Sequence, residues 1–212
     1  MQFAQKQSAL VLITISALTA CGGGGGGGGN SDNSNRVVNT TAPLADTGTP
    51  NQMQGTWKSS CLFDASEGVF INIVAEFTSS NARLSSGAYA SPSCTGFGLQ
   101  IAVETGYEVT GNKLLASGMT ANTIEHTISS VSMMPTSSEI ANALNEDRAC
   151  GFTDWRANVA YNISACQEFN PFQQPILRDI TFVNGNQLFT GGENDGIDGY
   201  PSEIDSAPLF KQ

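Results

Sequence analysis

Val69-Phe70-Ile71-Asn72-Ile73-Val74-Ala75-Glu76-Phe77 is the stretch on which the fold turns. Val69, Ile71, Ile73, Ala75 and Phe77 recur with period two, while Asn72 and Glu76 fall on the opposite side. That alternation describes a β-strand with one face in a core.

Similar patterns follow at 83–90, 98–109, 122–134, 157–164, 176–183, 186–191 and 207–211. Val183-Asn184-Gly185-Asn186 sets Asn-Gly between two apolar runs, which signals a hairpin joining 176–183 to 186–191. A single helix is expected after Thr136-Ser137-Ser138-Glu139, a capping-box pattern, with Ile140, Ala143 and Leu144 on one face and an end near Arg148. No repeat at a solenoid period is present. Many short strands, one helix and frequent Gly, Ser and Asn turns describe an all-β domain, an antiparallel barrel or sandwich.

Gly55-Thr56-Trp57 heads the first of these strands and resembles the G-x-W opening of lipocalins and related calycins. The resemblance implies an up-and-down barrel of about eight strands, with Trp57 closing one end and a basic side chain from near the C-terminus packed across it. Lys211 is the residue placed for that role, and Arg178 is the second choice. A segment at 136–168 with its own cysteine pair is foreign to that family and reads as an insertion carrying the helix.

The N-terminus gives an address. Lys6 and the amino terminus precede an apolar run from Ala9 to Leu18, shorter than the about 20 apolar residues a membrane span needs, and small residues close it. Leu18-Thr19-Ala20-Cys21 resembles the lipobox of bacterial lipoproteins. The resemblance implies that residues 1–20 are a cleaved signal peptide, that Cys21 carries a diacylglycerol and an N-acyl chain, and that the protein is held in the cell envelope. Gly22 after the lipidated cysteine points to the outer membrane. Gly22 to Gly29 and the Asn, Ser and Thr that follow make 21–51 a lipidated linker, leaving 52–212 as the barrel domain.

Loss of Lys6 with the leader takes the basic residues from 9 to 8; against 19 acidic residues the net charge becomes −11. Repulsion from phosphate excludes nucleic acid as a partner class and disfavours adsorption to anionic lipid, so the membrane is reached through the lipid on Cys21. With that cysteine assigned, Cys61, Cys94, Cys150 and Cys166 remain. An exported protein forms disulfides; three connectivities are possible, and pairing neighbours in sequence gives Cys61 with Cys94 and Cys150 with Cys166. Their spacing contains no zinc knuckle, and no cofactor motif is present.

Candidate chemistry is sparse. His126, the single histidine, shares a strand face with Ile124 and Ile128. It reads either as a hydrogen-bonded core or pocket residue or as a general base, which would need an orienting carboxylate and a nucleophile. Glu193, Asp195 and Asp198 give the 191–199 loop an oxygen-rich look, but Ile197 breaks the calcium-loop pattern; an acidic turn is the other reading. Trp155, between the second pair of cysteines, is either an exposed recognition residue or a plug over the barrel mouth. The function expected is non-enzymatic: binding of an apolar small molecule or an envelope partner by a tethered lipocalin-like barrel. The alternative is an inhibitor or adhesin acting through 136–168.

Overall fold

The computed structural model describes residues 36–48, 51–166, 176–192 and 196–212. Residues 1–35, with Cys21 and the glycine run among them, lie outside the described residues. Among the described residues eleven strands and one α-helix follow one another as β1 (Val37–Val38), β2 (Gly55–Lys58), β3 (Leu62–Asp64), β4 (Val69–Phe77), β5 (Asn81–Tyr89), β6 (Gly98–Leu114), β7 (Thr120–Pro135), α1 (Ser138–Glu146), β8 (Ala160–Asn162), β9 (Ile176–Asn184), β10 (Gln187–Thr190) and β11 (Leu209–Lys211).

Eight of these close a ring. β2, β4, β5, β6 and β7 pair antiparallel in that order. β7 then pairs with β9, β9 with β10, β10 with β11, and β11 returns to β2. The result is an antiparallel up-and-down barrel, the first of the two architectures that the strand pattern allows, with the Asn184-Gly185 turn joining β9 to β10 as expected. Gly185 sits at φ 60°, a left-handed position that glycine reaches without strain.

Three details depart from the pattern reading. β3 continues the line of β2 along β4 after a break in which the Ser59 hydroxyl accepts the Ile73 N–H at 2.8 Å. The 157–164 run shrinks to β8, which lies outside the ring and pairs with Ser132 and Met133 of β7. Within the stretch that composition assigns to linker, Val37–Val38 forms β1 on the edge of β8, and residues 42–48 bond to Arg83 on the barrel's outer face and to the β4–β5 turn.

That outer strap is bound by specific groups. Glu76, Arg83 and Glu104 are register neighbours on β4, β5 and β6. Arg83, buried despite its charge, donates to Glu76 Oε2 at 3.0 Å, to Glu104 Oε1 at 2.8 Å and to the Ala42 carbonyl at 2.7 Å. Thr78 and Asn81 both donate to the Ala45 carbonyl, and Asp46 accepts from the Ser79 backbone N–H and hydroxyl.

Inside, Trp57, Ala75, Phe77, Leu84, Ile124, Leu188 and Leu209 form one cluster with Met53 at the mouth where β2 begins. Trp57 is fully buried, and its indole N–H donates to the Met53 carbonyl at 2.6 Å. Lys211 stands opposite Trp57 in the β11–β2 register and holds its ammonium 5.1 Å from the ring centroid. Arg178 lies elsewhere, paired with Glu125 at 2.9 Å and stacked on Tyr200. Trp57→Ala is expected to lower stability by about 3–5 kcal/mol, and Lys211→Met by about 0.5–1 kcal/mol, both read from urea unfolding.

Candidate functional site

The insertion begins where β7 ends at Pro135. Ser137 caps α1, its hydroxyl accepting the Ile140 N–H at 3.3 Å. After the helix, Arg148 and Cys150 both take left-handed backbone angles, φ 51° and 55°, each at a cost of order 1 kcal/mol for a residue with a side chain. The Cys150–Cys166 disulfide closes this loop, and Cys61–Cys94 ties β3 to the β5–β6 connection.

Trp155 is the insertion's buried centre. It is 2% exposed, its ring lies 4.5 Å from that of Tyr161 and 5.3 Å from Phe152, and its indole N–H donates to the Ala149 carbonyl at 3.2 Å. Its backbone is clamped in both directions by Asn145, which accepts the Trp155 N–H at 2.7 Å and donates to the Trp155 carbonyl at 3.0 Å. Ala141, Ala149, Trp155, Tyr161 and Ile163 pack with Ile101, Val103, Val131 and Met133 of β6 and β7. Those four β6 and β7 residues alternate onto the same side as Val103's register partner Leu84, so the insertion seats on the sheet's inner face. Trp155 is thus buried on β6 and β7 instead of being exposed.

The exposed surface of the insertion is polar. Glu139, Asn142, Glu146, Asp147, Arg148, Asp154 and Arg156 are all exposed.

His126 points inward between the two clusters and is 3% exposed. Its Nδ1 lies 3.0 Å from Thr105 Oγ1, and its ring centroid is 6.0 Å from that of Tyr107. Among the described residues no carboxylate is hydrogen-bonded or ion-paired to it, so the orienter that a general base needs is not at hand. Burial pushes its pKa down to about 4 and keeps the imidazole neutral.

A second buried ionisable group, Asp179, escaped the pattern reading. It stands opposite Ile124 on β9, is 4% exposed, and burial raises its pKa to about 7 even though Oδ1 accepts the Ile180 and Gly191 N–H groups at 2.7 and 2.9 Å. Two residues on, the Thr181 hydroxyl is buried without a hydrogen-bond partner. The signal for Asp179 in the sequence was a carboxylate in mid-strand, between Leu177 and Ile180 and beside Arg178.

Glu193 and Asp195 of the acidic loop lie outside the described residues. Asp198 accepts from Lys113 Nζ at 2.9 Å and from the Tyr200 N–H at 3.1 Å, contacts that hold its carboxyl below the usual range. Nearby, Tyr200 donates to Glu125 at 3.1 Å and pins the loop to the barrel wall. No group of three His, Cys, Asp or Glu arranged to hold a metal occurs among the described residues.

These observations define a class: a closed eight-stranded antiparallel barrel, tied by two disulfides and carrying a helix-bearing insertion seated on its inner face. No protein-family model matches the chain, and no curated protein matches its sequence.

Asp179 and His126 make opposite demands on proton binding. Between about pH 4 and 6.5 the unfolded chain has Asp179 ionised and His126 protonated, whereas the folded chain has the reverse, so their contributions to the pH slope cancel. From about 6.5 to 7 only Asp179 differs, and its contribution lowers stability as pH rises. Asp179→Asn should therefore gain stability relative to the parent as pH rises from about 4 to 7, at up to about 1.4 kcal/mol per pH unit. His126→Gln should gain relative to the parent as pH falls through the same window. Urea midpoints across that range check both, and parallel curves for parent and variants would contradict them.

Proposed function

We propose that this chain is a bacterial envelope lipoprotein, held in the outer membrane through lipid on Cys21, whose lipocalin-like barrel works by binding rather than by catalysis. The barrel is the rigid scaffold, and the insertion beginning at Thr136 is the surface that captures an envelope protein. The observation that carries this reading is the seating of the insertion: Trp155, Tyr161 and Ile163 are buried on β6 and β7 while the opposite side of α1 stays in water. A segment so fixed presents its polar face without a large ordering cost on association.

Support against an internal small molecule comes from the same packing. Met53 and Trp57 occupy one mouth, and the insertion's aromatics occupy the inner face near the other. The absence of a carboxylate beside His126 among the described residues supports a non-catalytic role. Exposed Glu139, Glu146 and Asp147 outnumber exposed Arg148 and Arg156, a balance that favours a partner with a basic surface.

Excising the insertion would uncover Ile101, Val103, Val131 and Met133, so the test keeps its buried face intact. A photo-crosslinking residue at Asn142 on α1 should yield a defined protein adduct in cells, and the same residue at Asn186 in the β9–β10 turn should not. Equal adducts at the two positions would contradict docking on the insertion. A small-molecule mass retained by the delipidated domain in native mass spectrometry would move the binding to the barrel interior.

A further inference from the structure

Three exposed apolar side chains stand together at one rim of the barrel, while Val109, Leu114 and Ile197 are exposed toward the opposite end. Leu62 and Phe63 on β3 are 45% and 60% exposed, and Phe97 at the end of the β5–β6 connection is 51% exposed. The Cys61–Cys94 bond holds these two segments side by side. Phe63 leans on Phe70 at 5.1 Å but leaves its outer face in water. The Phe97 segment abuts the insertion, because the Thr136 hydroxyl and backbone N–H donate to the carbonyls of Gly96 and Gly98.

The chain reaches the body at this same end. Asn162 donates to the Arg36 carbonyl at 2.7 Å, and the Arg36 guanidinium lies 4.7 Å above the Phe152 ring. Val37, 45% exposed, follows on β1. Positions 21 and 36 are separated by 15 residues, and coil scaling for a glycine-rich composition gives that length a mean reach of about 20 Å. β6 alone has 17 residues, a length of about 56 Å, or about 40 Å along the barrel axis at a tilt near 40°. An anchor at Cys21 therefore keeps the insertion end near the bilayer, with the β6–β7 turn pointing away.

We infer that the rim of Leu62, Phe63 and Phe97 rests in the interfacial layer of a zwitterionic lipid surface, fixing the orientation of the tethered barrel. The inference rests on the lipid anchor proposed above. Three part-exposed side chains are too few to hold a soluble protein on a bilayer, but tethering makes their docking intramolecular and raises their effective concentration. Asp64 and Glu67 beside the rim and Glu139 at the start of α1 select against anionic headgroups. In this orientation the insertion lies at headgroup level, so the partner it captures is one that also lies at the membrane.

The test uses the full lipidated chain in vesicles of phosphatidylcholine and phosphatidylethanolamine with brominated acyl chains. Phe63→Trp and Phe97→Trp should add fluorescence that bromine quenches severalfold more than the signal added by Asn186→Trp at the far turn. In the unsubstituted protein, amide exchange at 61–64 and 94–98 should slow on vesicles relative to detergent. Quenching no greater at 63 and 97 than at 186, with unchanged exchange in protein that floats with the vesicles, overturns the docked rim and leaves the anchor standing. Protein that fails to float overturns the anchor, and the inference with it. Quenching that increases on adding phosphatidylglycerol overturns the choice of a zwitterionic surface.

Discussion

The length of β7 governs the rest of the structure. Its 16 residues pair with β6 throughout, but no single strand serves its other edge. Residues 122–127 pair with β9 and close the barrel, while 132–133 pair with β8. Between these partners Ser129 is an extra residue in the β6–β7 ladder, where the register shifts, and such a bulge bends and twists a strand. Past that point the barrel wall is incomplete, and the inner faces of Val131 and Met133 would meet water. The insertion fills this place, so Trp155 and Tyr161 are buried there because closure stops short of the end of β7.

Closure also settles the fate of polar groups. An open sheet would leave an edge of unpaired N–H and C=O groups; the ring pairs them and traps whatever faces inward. His126, Asp179 and Thr181 are caught this way, in surroundings that favour the uncharged forms of both ionisable groups. On the outside the logic differs. Buried Arg83 finds acceptors around its guanidinium in Glu76, Glu104 and the Ala42 carbonyl, and this row helps to hold the strap 42–48. The chain preceding β2 is therefore part of the folded body from Arg36 onward, although its composition is that of a linker.

Much of the candidate site was legible in its parts but not in its assembly. The capping box marked α1 because side-chain capping is a local event, and two disulfides were foreseeable from four cysteines once the chain was read as exported. The seat of Trp155 was not legible, because a tryptophan between two cysteines packs equally well on a mouth or on a partner until the neighbouring surface is known. Asp179 was hidden for a related reason. Ile176, Ile180 and Phe182 look like the core-facing set of their strand, yet Ile180 and Phe182 face outward with Leu115, Ala121, Tyr200 and Ile204. Asp179, Thr181 and Val183 take the inside, where Asp179 stands against Ile124 and Thr181 against Asn122.

Sequence alone determined the strand character of 69–77 and its successors, the hairpin at Asn184-Gly185, the helix at 138–146 and the all-β class. Each follows from local periodicity or turn chemistry acting over a few residues. Tertiary structure decided which face of β9 is inside, how the ring closes, where the strap runs and where the insertion seats. Those outcomes depend on surfaces far apart in the chain: a strand with apolar residues on both faces has no preferred inside until another segment covers one of them, as Tyr200 and Ile204 do here.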